Sequence, residues 1–172
     1  MTKLHNAAAA AEIVSAVVIS MSVSLAVIAY LNETTKQQRQ FTMELALNYF
    51  SEGLHEPKKN LYRAIRSYQE EVKPAKLGST DLATYIGKAK VPDSISEQEL
   101  DSALLTVASF FNSAHRCVKS ELCDENLMRE LISEDATAIH CVFSQYFLDL
   151  IEEANVPQLA SGLKFFKEED CD

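Results

Sequence analysis

Residues 96–118 read SEQELDSALLTVASFFNSAHRCV and hold the clearest helical pattern of the chain. Apolar side chains recur every three or four residues from Leu100 to Val118, which is the spacing of one face of an α-helix. Ser96 and Glu99 have the spacing of a capping box, in which each side chain accepts a hydrogen bond from a backbone N–H at the helix start. The stretch therefore predicts an amphipathic helix that buries one face against neighbouring helices.

The same spacing extends along most of the remaining chain. It predicts further helices over residues 33–54, 57–72, 124–132 and 135–157, with a short helix within 158–166. Asp124 and Asp135 are expected to cap the last two long helices, and Gly53 and Pro57 are expected to separate the first two. The chain has only four glycines and four prolines, which leaves little turn chemistry for a β-sheet. We therefore expect an all-α fold.

The residues of the apolar stripes are predicted to form the buried core. In the helix over 33–54 the stripe consists of Phe41, Leu45, Ala46, Tyr49 and Phe50. Later helices add four phenylalanines to such stripes, namely Phe110, Phe111, Phe143 and Phe147. Two or three helices must pack together to hide rings of this size, so the sequence predicts a helical bundle and not a lone rod.

An apolar run near the N-terminus predicts a membrane anchor. Residues 13–31 read IVSAVVISMSVSLAVIAYL and carry no charged side chain. At about 1.5 Å of rise per residue, a helix of this length reaches ~28 Å, close to the hydrocarbon thickness of a bilayer. The expected fold is thus an N-terminal transmembrane helix followed by a small helical bundle. The expected domains are a short tail and anchor over 1–32, the bundle over 33–157, and a short helix with an acidic tail over 158–172.

Two features of the anchor leave alternatives open. Ala16, Ser20 and Ser24 recur every fourth residue, and a stripe of small side chains lets two membrane helices approach closely. The alternative is that small residues are simply common in such spans. A cleaved signal peptide competes with the anchor, with Ser24 and Ala26 as the small residues before the cleavage site. The run exceeds the usual signal-peptide core of about 7–15 residues, which favours an uncleaved anchor.

The net charge of −9 is unevenly distributed. Residues 34–90 carry a net charge of +4, and residues 91–172 carry −12. An anionic cytoplasmic leaflet would attract the basic half beside the anchor. Four cysteines without regular spacing fit a reducing compartment better than a disulfide framework. We therefore expect a single-pass protein of the inner membrane with its C-terminal domain in the cytoplasm. The acidic total argues against nucleic acid as a partner.

The helix predicted over 57–72 has a basic face. Lys59, Arg63 and Arg66 share this face, and Lys73 and Lys76 follow it. If the helix returns toward the membrane, these five residues are candidates for contact with the lipid bilayer or a protein partner. The alternative is an ordinary solvated helix face.

Residues 107–131, VASFFNSAHRCVKSELCDENLMREL, resemble the central signature of a bacterial family known only as a domain of unknown function. Phe110 and Phe111 match its paired phenylalanines, and Asp124 and Glu125 match the acidic start of its next helix. The resemblance implies a short, membrane-anchored, all-helical protein and brings no known reaction with it. The family often has an acidic residue after the pair, where this chain has Asn112.

Cysteine and histidine residues come closest to a chemical site. They are His115, Cys117, Cys123, His140 and Cys141. Structural zinc sites usually show ligands paired as C-x₂₋₄-C, and this spacing does not occur. Phosphate-binding, dinucleotide-binding and nucleophile-elbow motifs do not occur either. We expect no catalytic residue, no metal and no cofactor, and hence a protein that is not an enzyme.

Two functions fit these features. The first is a membrane-tethered, non-enzymatic interaction or scaffold module that recruits an unknown protein partner and associates with itself through the small-residue stripe or an exposed aromatic patch. The alternative is an effector or regulatory subunit of a bacterial membrane-associated stress or phage-defence system. The first predicts that a fragment over 34–172 still binds its partner. The second predicts that function is lost when an unrelated span replaces the anchor.

Overall fold

The computed structural model describes residues 2–72, 95–168 and 171, with the backbone alone for residues 2–19, 52, 71, 72 and 154. The described residues form five helices and no strand, which confirms the all-α fold. These helices are α1 (Thr2–Phe50), α2 (Glu52–Val72), α3 (Glu97–Lys119), α4 (Glu125–Ala154) and α5 (Ser161–Phe166). The chain divides into two compact units, Met1–Gln38 and Arg39–Asp172, and the helical bundle lies in the second.

The N-terminal unit is a single helix, and its backbone is helical throughout the predicted anchor. In the part of the chain whose side chains are described, no helix is both long enough and apolar enough to cross a membrane. Residues 13–19 of the predicted anchor lie outside that part. The transmembrane helix therefore stays a prediction.

The break between α1 and α2 is narrower than the sequence predicts. Only Ser51 separates the two helices, and α2 begins at Glu52 and not at Pro57. The Ser51 hydroxyl donates a hydrogen bond of 2.8 Å to the carbonyl of Asn48, which competes with the backbone bonds of α1 at its end. Pro57 lies inside α2, where its missing N–H removes one backbone hydrogen bond while its fixed φ still suits a helix.

The predicted capping box at the start of α3 is present. The Ser96 backbone N–H donates to Glu99 Oε2 at 3.0 Å, and the Glu99 backbone N–H donates to Ser96 Oγ at 3.3 Å. The apolar stripe from Leu100 to Val118 is buried at every expected position. This central helix packs against α2 on one side and α5 on another, so it forms the middle of the core.

The predicted break before Asp135 is wrong. One continuous helix, α4, runs from Glu125 to Ala154, with Asp124 as its N-cap as expected. No glycine or proline interrupts this segment, so nothing forces the backbone out of the helix. Asp135 caps nothing, because its carboxylate is held by side chains from two other helices. The helix ends at Ala154, and its C-cap Asn155 adopts a left-handed conformation with φ 52°.

The short helix α5 lies directly on the backbone of α3. A Cβ atom on Gly162 would lie 2.2 Å from the carbonyl carbon of Phe111, so only glycine fits this contact. The Asn112 amide then joins the two helices: its oxygen accepts from the Gly162 N–H at 2.7 Å, and its NH₂ donates to the Leu159 carbonyl at 2.8 Å. These contacts fix the C-terminal segment to the bundle.

Candidate functional site

A carboxylate in the middle of α4 gathers three donors from α1 and α2. Asp135 Oδ2 accepts from Tyr49 Oη at 2.7 Å and from Lys58 Nζ at 2.9 Å. Its other oxygen, Oδ1, accepts from Tyr62 Oη at 2.5 Å. The Lys58 ammonium also lies 3.8 Å from the centre of the Tyr49 ring, within cation–π range. We call Asp135, Tyr49, Lys58 and Tyr62 the Asp135 cluster.

The electrostatics of the Asp135 cluster hold the carboxylate in its charged form. Burial by itself would raise the pKa of Asp135, but the hydrogen bonds from Tyr62, Lys58 and Tyr49 outweigh burial and keep that pKa below its ordinary value. Burial and the neighbouring carboxylate together raise the pKa of both tyrosines. The cluster therefore stays as an ion pair with two neutral phenols at neutral pH.

A surface pocket of about 290 Å³ opens beside the cluster. Its lining combines aromatic rings and basic side chains, namely Tyr49, Phe50, His55, Lys58, Lys59 and Tyr62. The Lys58 ammonium lies 5.1 Å from the centre of the Phe50 ring, so the cation and this outer ring stand side by side at the pocket. Both lysines are already paired with carboxylates of this chain, Lys58 with Asp135 and Lys59 with Glu56. The concave aromatic lining therefore suits an apolar side chain.

An exposed apolar stripe on α1 leads to this pocket. Met43, Leu47 and Phe50 follow one another at i, i+4 and i+7, and their exposed fractions are 44%, 61% and 57%. The adjacent face of the same helix is buried and carries Ala46 and Tyr49. We call Met43, Leu47 and Phe50 the α1 stripe. The core stripe that the sequence predicts for this helix is wrong at Phe41 and Phe50, because both side chains are exposed.

The arrangement favours binding over acid–base chemistry. A general base needs a pKa raised toward neutrality and a free lone pair directed at its substrate. Asp135 has a lowered pKa, and its oxygens accept bonds from three protein donors. Its role in the geometry is to join α1, α2 and α4 beneath the pocket.

The predicted basic face of α2 is partly neutralised within the helix. Lys59 pairs with Glu56 at 3.0 Å, and Arg66 pairs with Glu70 at 3.1 Å. Arg63 is exposed between them. Lys73 and Lys76 lie outside the described residues. Lys59 also lines the pocket.

The predicted small-residue stripe of the anchor is described in part. Ser20 and Ser24 are exposed, and the Ser24 hydroxyl donates to the Ser20 carbonyl one turn back at 2.8 Å. This bond satisfies the serine within its own helix, as lipid requires of a polar side chain. The side chain of Ala16 lies outside the described residues.

The expectation of unpaired cysteines is wrong. Cys117 bonds to Cys123 across the turn after α3, and Cys141 on α4 bonds to Cys171 in the C-terminal tail. The second bond spans 30 residues, so the sequence offered no local spacing to identify it. His140 lies beside this bond, with its Nδ1 atom 4.0 Å from Cys171 Sγ.

His115 is half-buried and has an apolar partner. Its ring stacks on Phe165 at 4.2 Å between centroids, and Arg129 lies over the same phenylalanine. Burial, followed by the nearby charge of Lys119, lowers the pKa of His115. The neutral ring is therefore favoured, and the stack fixes α5 to α3.

No family model matches this chain, and no curated protein or solved structure is significantly similar to it. The resemblance of residues 107–131 to a bacterial family therefore stays a prediction. The Asp135 cluster went unpredicted because its members come from three helices. The one signal in the sequence was an aspartate at position 135 in a segment without a helix breaker.

Proposed function

We propose that this protein is a membrane-tethered, non-enzymatic interaction module that binds a protein partner through the α1 stripe and the adjoining pocket. The observation that carries the proposal is the exposure of Met43, Leu47 and Phe50 on one line of a helix whose next face is buried. Contiguous exposed apolar side chains mark interaction surfaces more often than isolated ones. The Asp135 cluster supports the surface from beneath by fixing α1 to α2 and α4.

The tether is supported by the apolar character of the described part of the N-terminal unit. Large apolar side chains are exposed around more than half of the helix circumference, namely Met21, Val23, Leu25, Val27, Ile28, Tyr30 and Leu31. The remaining face carries the small residues Ser22, Ala26 and Ala29. A helix that is apolar all round belongs inside a large protein core or a membrane. Together with the uncharged run over 13–31, this pattern supports a single-pass anchor.

The disulfides indicate the side of the membrane on which the bundle lies. Structural disulfides persist in oxidising compartments and are rare in the cytoplasm. The cytoplasmic orientation rested in part on unpaired cysteines, and both described pairs are bonded. We therefore propose the opposite orientation, with the anchor in the inner membrane and the bundle on its oxidising side.

Site-specific photo-crosslinking tests the interaction surface. A photoreactive amino acid at position 47 of the full chain, in native membranes, is expected to yield a discrete crosslinked protein species. Position 148 is the matched control, because Leu148 is exposed to a similar extent, 53%, but lies on α4. Equal crosslinking at both positions, or none at position 47, would contradict the proposal.

Two simpler measurements test the tether and the orientation. Alkaline carbonate should leave the full chain in the membrane pellet, and the mass of the mature chain should include residues 13–31. A phosphatase fused after the C-terminus, which folds only where disulfides form, should be active. Release into the supernatant would refute the anchor, and an inactive fusion would refute the orientation.

A further inference from the structure

We propose that reduction of the Cys141–Cys171 disulfide creates a binding site for a zinc-like divalent cation, formed by Cys141, Cys171 and His140. The inference is independent of the proposed protein-binding function, and on the oxidising side of the membrane it requires a dithiol reductant that reaches the bundle. In the described residues, these three are the group of potential ligands found close together: one donor atom of each lies within 4.8 Å of the others. Two thiolates and an imidazole are the ligand types that zinc prefers.

The disulfide and the metal site are alternative states of the same sulfur atoms. A disulfide sulfur is a poor ligand, because the metal binds the thiolate. A dithiol reductant would give two electrons and two protons to the two Sγ atoms and leave as its own cyclic disulfide. Zn²⁺ would then displace both thiol protons and form two Zn–S bonds and one Zn–N bond, with the fourth position open to water.

A second contact, three residues before Cys171, keeps the start of the tail beside α4 when the disulfide is reduced. Thr137 lies one turn before Cys141 on α4, and its Oγ1 accepts a hydrogen bond of 3.2 Å from the Glu168 backbone N–H. This bond does not involve sulfur, so it survives reduction. His140 and Cys141 are adjacent on one rigid helix. The sulfur atoms need to separate only to about 3.8 Å, the ligand spacing of a tetrahedral site with Zn–S bonds of about 2.3 Å.

The other disulfide provides an internal control. Cys117 and Cys123 are bonded in the same way, but among the described residues no third ligand accompanies them within the same reach. Two thiolates six residues apart form a weaker site than two thiolates with an imidazole. If metal binding required only free thiols, both cysteine pairs would bind a metal equally after reduction. The proposed site predicts binding at Cys141 and Cys171 alone.

Cobalt(II) titration of the full chain in detergent tests the proposal, with Co²⁺ as the coloured substitute for Zn²⁺. After reduction by a phosphine, which adds no thiol ligand, the wild type is expected to bind one Co²⁺ with cobalt–thiolate charge-transfer absorption. The oxidised chain should show none. The variant with Cys117→Ser and Cys123→Ser should behave like the wild type, and the variant with Cys141→Ser and Cys171→Ser should lose the band.

His140→Ala separates a three-ligand site from simple thiol binding because it keeps all four cysteines. Its affinity for Co²⁺ should fall by more than the roughly tenfold lost with an outer partner of a metal ligand. Unchanged affinity in this variant would overturn the proposal, as would a reduced wild type without the absorption band. Retention of the band after loss of Cys141 and Cys171 would overturn it too. Far-ultraviolet circular dichroism checks that each variant keeps its helices.

Discussion

Replacing Asp135 with asparagine removes one charge from the Asp135 cluster while keeping the shape of the side chain. Asparagine offers one acceptor oxygen where the carboxylate offers two. If that oxygen keeps Tyr62, the new NH₂ faces Lys58 Nζ across the present 2.9 Å contact, so that a donor meets a donor. The Lys58 side chain is only 17% exposed, so water replaces the lost partner poorly.

The expected loss in free energy of unfolding follows from the loss of a charge-assisted hydrogen bond at a partly buried site. Hydrogen bonds to charged groups contribute about 1.5–3 kcal/mol, and breaking a fully buried ion pair costs ~3–5 kcal/mol. The Asp135 side chain is 26% exposed, which lowers the expected cost. Lys58 also keeps its contact with the Tyr49 ring. We expect Asp135→Asn to lower the free energy of unfolding by about 2 kcal/mol.

Asp101→Asn is the matched control within the same bundle. Asp101 Oδ1 accepts from Tyr146 Oη at 2.6 Å, and in the described residues no ion pair includes it. An asparagine oxygen can keep this bond, so the expected cost is below about 1 kcal/mol. Urea unfolding of the full chain in detergent, with both disulfides intact, measures the two variants by circular dichroism. An equal cost for both variants would refute the reasoning.

Asp135→Asn should also change how the free energy of unfolding depends on pH. Because the folded state holds the pKa of Asp135 below its ordinary value, this carboxylate stabilises the fold above its unfolded pKa of about 3.9. That stabilisation is lost as the pH falls through the lowered, folded-state pKa. The difference in stability between wild type and Asp135→Asn should therefore be constant from about pH 5 to 8 and shrink in more acidic solution. A difference that persists undiminished at low pH would show that the charge is not responsible.

The remaining predictions concern the contact between α5 and α3, and thermal unfolding of the full chain measures each. Gly162→Ala should cost at least the ~1–3 kcal/mol of overpacking, since its Cβ would meet backbone at 2.2 Å, whereas Gly53→Ala, whose nearest neighbour is 3.9 Å away, should cost nothing. Phe111→Ala should cost ~3–5 kcal/mol because the ring is fully buried; a cost below about 1 kcal/mol would contradict that burial. Asn112→Asp should cost about 1–3 kcal/mol, because a carboxylate cannot donate to the Leu159 carbonyl; unchanged stability would contradict this role.

Helices with strong local signals were predictable from the sequence. The Ser96 capping box and the stripe from Leu100 to Val118 act through neighbours three and four residues apart, and both are present as predicted. The role of Asn112 was not predictable from local spacing. Its amide both donates and accepts a hydrogen bond between distant segments, and an ionised acidic residue can only accept.

Features that depend on distant partners were not predictable. Aspartate is a residue type favoured at helix N-caps, so Asp135 is read as a cap from the sequence. Only the positions of Tyr49 and Lys58 in space reveal its role. Local propensity therefore pointed to a helix break that tertiary contacts do not require. The bond between Cys141 and Cys171 is of the same kind, because a pair 30 residues apart leaves no mark in local spacing.

The errors on α1 carry the most functional information. Periodicity identifies the apolar positions of a helix, but it does not say whether the surface that covers them belongs to the same chain. Ala46 and Tyr49 are covered by the bundle, whereas Leu47 and Phe50 are exposed on the next face of the same helix. Burying one such side chain contributes about 1.5–3 kcal/mol, so a surface that covers both would gain several kcal/mol. At Phe50 the pattern predicts burial and the structure shows exposure, which supports an intermolecular contact at the α1 stripe. The crosslinking comparison of positions 47 and 148 tests that contact directly.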